Sequence, residues 1–503
     1  MSVRFPIPLS SLAVIVPVLL LGACSGDGGD DDKTSDGADA DTDTDSDTDA
    51  DTDVDTDTDT DTDTDITNEL GIANLSWTAD SVQQSLLTLS WDQGVAADVQ
   101  VEFAVDAGEW QTIPVHTGVV GVNQQLLVGV PYSEDAEWRI LDLEGTILAN
   151  GPLLSVVNPP ANFPLATNVI SDPSAWLPEG KYLLGSCSQH ARGWTGGDYW
   201  AWIVDRQGRP IWLSPTPSEH WTLYATIAVT GDRILWDEQT YWDFAGGWDE
   251  GRGSKIHSTY IDRPIESFDA VGLHHAFIQM PDESFVWGSK SWINNTEALL
   301  QWAPGDAQPT ELWNCRDNWE GVNDCESNSM WYDAYRDSFL YSFYTTGGYQ
   351  LSSALVEIDR STGNTIWQAG IIDDGLEFDP PESRFSWQHG INFTEAGTLL
   401  LSTESEPFIR DPTIYAREYE VDLNAGVLRQ IWSYDSTHEA ATNGDTHRLS
   451  NGNTLHGVGS SGQVIEVDAA GNPVWQLDFG GGRLVGRVEF IEDLYDLVSP
   501  EAK

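Results

Sequence analysis

The chain has 503 residues, 40% of them hydrophobic and 23 of them Trp, enough for more than one domain and a sizeable core. Its formal net charge is -58. Setting aside the Asp-Thr tract between Asp27 and Asp65, acids still outnumber bases by roughly forty, which repels polyanions and argues against nucleic acid as a partner. The 46 Gly and the many short alternating runs favour an all-β chain over helix.

In chain order, residues 1–23 read as a secretory signal peptide. Arg4 is a thin positive region, and Leu12 to Leu21 is an apolar core too short to span a bilayer. Leu21-Gly22-Ala23-Cys24 resembles the bacterial lipobox, in which the Cys becomes the lipidated first residue of the mature chain. Ser25, rather than Asp, follows Cys24, which resembles the outer-membrane sorting pattern. The expectation is a lipid anchor at Cys24 that holds the protein to the outer membrane, in the cell envelope, facing periplasm or cell surface.

Residues 24–67 follow as a low-complexity tether. Asp at every second position repels its neighbours and nothing apolar is available to bury, so disorder is expected. Some forty residues reach at most about 130 Å. The tract lacks the Gly turn and bidentate Glu of an ordered calcium loop.

From residue 68 to 160 the pattern changes to strands at Leu86 to Trp91, Val99 to Val105, Leu126 to Val130 and Trp138 to Leu143. Their number and spacing suggest a small β-sandwich, similar to a fibronectin-type or immunoglobulin-like module. It holds no Cys for a sandwich disulfide, and Asn158-Pro159-Pro160 marks its end.

Residues 161–503 carry a repeated strand, turn and strand. One copy type places Asp and Gly in a turn before a strand ending in Trp: Asp205 to Gly208 before Trp212, Asp359 to Gly363 before Trp367, Asp422 to Gly426 before Trp432, and Asp468 to Gly471 before Trp475. The other places histidine at the start of a strand, at His274 and His275, at His389 and at His447. The first kind is read as outer hairpins and the second as inner strands. Together they predict a six-bladed β-propeller, with Val485 to Leu494 as a closing strand.

Of the 4 Cys, Cys24 is assigned to lipid. Cys315 and Cys325 are expected to close a loop by a disulfide in an oxidising compartment, leaving Cys187 buried. Paired Cys-x-x-Cys spacing is absent, which argues against zinc. No Gly-x-Ser-x-Gly elbow and no Gly-x-x-x-x-Gly-Lys loop is present.

The sandwich-then-propeller order, the His274-His275-Ala276-Phe277 and Gln388-His389 strands, and the Ile358-Asp359-Arg360-Ser361-Thr362-Gly363 turn resemble bacterial arylsulfotransferases over about residues 68 to 495. The resemblance implies an exported enzyme, without cofactor or nucleotide donor, that moves a sulfuryl group from an aryl sulfate to a phenol through a sulfohistidine. It places His389 as nucleophile and His275, or its neighbour His274, as the second active-site histidine. A neutral imidazole nitrogen suits that attack near pH 7. Three positions depart from the family pattern. Ala276 follows the histidine pair where the family often has Asp, Glu326 stands in place of a third His, and Tyr344 in place of a sulfate-binding Arg. Tyr344, together with Arg192, Lys290 or Arg384, is the expected replacement at the anion. Trp194 and Trp387 are candidates for an aryl pocket. His447 and the remaining histidines are read as structural. The alternative reading is a propeller that binds ligand on the cell envelope without catalysis, and a third is a related enzyme for another anionic or aromatic substrate.

Overall fold

Short alternating runs closed by Asp and Gly turns fold here into antiparallel sheets. The computed structural model describes residues 68–502, apart from 107, 192–197, 218–219, 241–251, 292–295, 320–324, 347–352 and 405–411. The expected signal peptide, Cys24 and the Asp-Thr tether lie outside the described residues, as do Arg192 and Trp194. Among the described residues, strands dominate and the one α-helix is Cys315–Asn318. No described helix is long and apolar enough to cross a membrane.

Two sheets come first. Ala73–Ala79, Leu87–Gln93 and Gly121–Leu127 form one; Gln111–Thr112, Gln100–Val105, Asp135–Leu141 and Ile147–Asn150 form the other, with Leu154–Ser155 beside Asp135–Leu141. Leu87, Leu89 and Trp91 alternate inward on one strand and are fully buried. They share one apolar core with Phe103 and Trp138, and also with Leu183, Trp202 and Val488 further along the chain. Each fully buried side chain of Leu or Phe size stabilises the fold by roughly 1.5–3 kcal/mol. A single core thus runs past the Pro159-Pro160 boundary.

Six sheets of four or five strands follow. Each begins at one edge with a strand that packs on the edge strands of neighbouring sheets. In chain order these edge strands are Ala225–Ile227, Leu273–Gln279, Cys325–Asp333, His389–Phe393, Asp445–Arg448 and Arg483–Ile491. From Leu273–Gln279 onward each packs on the next, and Arg483–Ile491 also packs on Ala225–Ile227. The last of them completes the earliest of the six sheets by pairing with Tyr182–Ala191. In exchange, Thr167–Ser171 completes the final sheet beside Pro473–Asp478. Arg206 and Glu466 tie the same two sheets through a buried ion pair at 2.7 Å.

The Asp and Gly turns lie on the outer hairpins. Gly208, Gly363 and Gly471 donate their N–H to the carbonyls of Asp205, Asp359 and Asp468, each at 2.9 Å. All three, with Gly426, adopt positive φ, which Gly alone takes at little cost. Cys315 and Cys325 are disulfide-bonded, with Cα atoms 6.6 Å apart, and Cys187 is a buried free thiol.

Candidate active site

Chain geometry before His389 is set by a pinned segment. Gln388 is fully buried, and its Nε2 donates to Ser342 Oγ at 2.8 Å, Phe343 O at 3.1 Å and Ala354 O at 2.8 Å. Trp387 sits at φ 47° and Gly390 at φ 52°. A Cβ on Gly390 would meet Asp445 Cα at 2.4 Å, so only Gly fits. Between His389 and Asn392 the pairing register shifts, as in a bulge, which re-aims side chains. The outcome is a buried imidazole whose Nδ1 lies 2.8 Å from the Trp387 carbonyl oxygen. That oxygen only accepts, so Nδ1 carries the proton and the lone pair resides on Nε2. Burial depresses the His389 pKa to about 4, against smaller raising effects of the Trp387 carbonyl and the Asp445 charge. At neutral pH the ring is uncharged, as a nitrogen nucleophile requires.

A second bulge lies between Leu273 and Phe277. It holds His275 at φ 65°, uncommon for a residue with a Cβ. The backbone N–H of His275 donates to Gln239 Oε1 at 3.1 Å. His274 turns inward and is buried. Its Nε2 lies 2.9 and 3.1 Å from the Glu297 oxygens, and its Nδ1 lies 2.8 Å from Nδ1 of His275. Glu297 also accepts from Ser327 Oγ at 2.7 Å and from the Tyr341 hydroxyl. Burial alone would raise its carboxyl pKa, but the charge and hydrogen bonds of His274, with those from Tyr341 and Ser327, outweigh this and lower it. Glu297, His274 and His275 therefore form a proton-conducting line whose outer ring is 6.4 Å, centroid to centroid, from that of His389.

Both imidazoles border one opening with two unlike ends. The wide end, of about 320 Å³, is walled by Trp221, Leu223, Tyr344, Trp387 and Leu484. Tyr344 and Trp387 face each other with ring centroids 5.4 Å apart. At the narrow end, His275 and His389 share a polar lining with Asn328, Asp445, His447 and Arg487.

Residues 339–480 match the model of the arylsulfotransferase (ASST) family. That segment belongs to the arylsulfotransferase family. No curated protein matches the chain. Among solved structures, a protein of unknown function from Bacteroides caccae aligns at 13% identity over 59% of this chain and 72% of its own, with TM-score 0.24. An uncharacterized protein from Listeria monocytogenes aligns at 11% over 62% and 82%, with TM-score 0.30. A putative oxidoreductase (glucose dehydrogenase) from Thermus thermophilus aligns at 12% over 56% and 90%, with TM-score 0.31.

The arylsulfotransferase segment contains Tyr344, Trp387, His389 and His447, whereas His274, His275 and Arg487 lie outside it. Of the two adjacent histidines, His275 borders the opening and His274 stands behind it. Arg384, an expected anion ligand, does not border the opening. It is exposed, with its guanidinium carbon 5.7 Å from the Phe378 ring centroid. Lys290 lies on a strand, but its side chain falls outside the described residues. Glu326 is buried at the start of its strand and borders neither end; Asn328, two residues on, does. His447, read as structural, lines the narrow end, where its Nε2 contacts Asp445 at 2.7 Å. Sequence reasoning missed Glu297, Asn328 and Arg487. A lone charge inside an apolar strand was the available signal, in Glu297-Ala298-Leu299-Leu300 and in Leu484-Val485-Gly486-Arg487-Val488.

Proposed function

We propose that the chain is an arylsulfate sulfotransferase that moves a sulfuryl group between phenols through a sulfated His389. The observation that carries this is an uncharged, buried imidazole with its lone pair on Nε2, sharing an aromatic-walled opening with a second histidine. In the first half-reaction, His389 Nε2 attacks the sulfur of an aryl sulfate. The N–S bond forms, the S–O bond to the aryl group breaks, and His275 gives a proton to the departing phenolate. The Nδ1 proton stays on the Trp387 carbonyl. In the second, an acceptor phenol gives its proton to His275 as its oxygen attacks the same sulfur, the N–S bond breaks, and His389 is restored. The Glu297–His274 pair steadies the proton on His275 between the two halves.

The six sheets are read as blades of a propeller with the opening near its axis, and the two preceding sheets as a sandwich covering residues 68–160. Lipidation of Cys24 would anchor the whole at the outer membrane. Cys24→Ser is expected to release the protein into the soluble fraction; a variant that still pellets with membranes removes Cys24 as the anchor.

The test is incubation of the full chain with p-nitrophenyl sulfate and a phenol acceptor. Nitrophenol release, a sulfated acceptor and a trapped mass increment of one sulfuryl group on the peptide containing His389 are expected. Ligand binding without turnover of any sulfate ester would leave a binding module instead.

A further inference from the structure

Two histidines and an aromatic wall leave one chemical need unmet. The non-bridging oxygens of a sulfuryl group carry negative charge that fixed donors or a cation must hold as the sulfur is transferred. The narrow end of the opening supplies such groups. Arg487 lies there on the strand that completes the earliest of the six sheets, with 14% of its side chain exposed. Its Nε has no hydrogen-bond partner. The nearest carboxylate, Glu489, is 4.0 Å away and already accepts from Thr226 Oγ1 at 2.7 Å and Ile227 N at 3.1 Å. The guanidinium carbon is 4.6 Å from the Tyr224 ring centroid and 5.5 Å from that of Trp331, which fix the fork in place.

An independent observation concerns Asn328. It is 4% exposed and lines the same end, yet both its amide nitrogen and its amide oxygen lack a partner. Buried polar groups are almost always satisfied, so an unpaired amide beside an under-paired guanidinium marks a place for a ligand that brings acceptors. The carboxylate at this end, Asp445, does not cancel the cation. It accepts from His447 Nε2 at 2.7 Å and from Val488 N at 3.1 Å.

We propose that Arg487 and Asn328 form an oxyanion subsite that receives the non-bridging sulfuryl oxygens of the donor while its aryl ring occupies the wide end. This rests on the transfer reaction proposed above. The guanidinium fork matches paired oxygens on one tetrahedral centre, and the amide NH2 supplies a further donor.

The experiment titrates inorganic sulfate, and separately p-nitrophenyl sulfate, into the full chain by calorimetry, alongside Arg487→Gln and Asn328→Asp. The second variant is isosteric and keeps the fold testable should Arg487→Gln destabilise it; near-ultraviolet circular dichroism and melting confirm folding. Wild type is expected to bind sulfate, sulfate is expected to compete with the ester, and each folded variant is expected to bind both at least tenfold more weakly. Sulfate binding lost in both variants, in a protein that turns over no ester, upholds the subsite and refutes the transferase reading. Turnover with unchanged KM in both folded variants overturns the subsite alone. Simultaneous binding of sulfate and ester also overturns it, because the two would then occupy different places.

Discussion

The edge strands that meet at the opening and the outer hairpins of the same sheets are built by opposite rules. The hairpins repeat an Asp and Gly turn with matching hydrogen bonds at Asp205, Asp359 and Asp468. Their conformation is local, and each copy is nearly interchangeable with the next. The edge strands at His275, Ser327 and His389 each interrupt their pairing register, and His275 and Trp387 hold positive φ despite a Cβ. Such conformations persist only where the surroundings over-determine them, as the bonds from Gln388 and Gln239 do here. Regularity at the rim supplies stability, and departures from it at the centre aim two imidazoles at a shared space.

Several substitutions would break or sharpen that division. The largest effect belongs to His389→Ala, which should lower sulfuryl transfer at least about a thousand-fold, or about 4 kcal/mol of transition-state stabilisation. Single-turnover nitrophenol release measures it, and retention of even a tenth of wild-type activity removes His389 as nucleophile.

Next comes a pH effect on stability. The folded pKa of His389 is depressed from 6.5 to about 4. As pH falls below 6.5 the unfolded chain takes up that proton first, so stability is lost progressively until pH passes the folded pKa. The full contribution is roughly 3 kcal/mol. Denaturant melts of wild type and His389→Gln at pH 7 and pH 4.5 should show a shallower acid loss in the variant; equal slopes contradict a buried, uncharged ring.

Glu297→Gln keeps the shape behind His274 but removes its charge. Transfer should drop roughly 10²-fold, with the acid limb of the rate profile displaced, because His275 no longer has a steadied proton. An unchanged pH profile would reduce Glu297 to a packing role. Smallest is Gly471→Ala on an outer hairpin. Its φ is 86° and the nearest atom to a Cβ is 3.9 Å away, so the cost is conformational, about 1–2 kcal/mol, with transfer rates untouched. A rate change there would show that rim and centre are coupled.

Legibility in the sequence followed the same division. The Asp and Gly turns, the closing strand near Val485 and the Cys315–Cys325 pairing were readable because each depends on near neighbours or on composition. His389 and His275 were readable from motif position. Which of His274 and His275 faces the opening was not, since the bulge between Leu273 and Phe277 overrides simple alternation. Arg384 was expected at the anion because it precedes His389 in sequence, but its side chain leaves on the far side of the Gln388 anchor and ends over Phe378. Glu297 and Arg487 needed partners some twenty residues and a hundred residues away, respectively, which no local pattern encodes.

The strand Arg483–Ile491 pairs with Tyr182–Ala191 while its own side chains border the opening. During synthesis it is among the last parts of this sequence to leave the ribosome. A nascent chain holding every histidine discussed above would still lack one side of the chamber, so the centre is assembled only when the final sheet edge is delivered. Premature reactivity inside the cell is thereby forestalled by the order of translation itself.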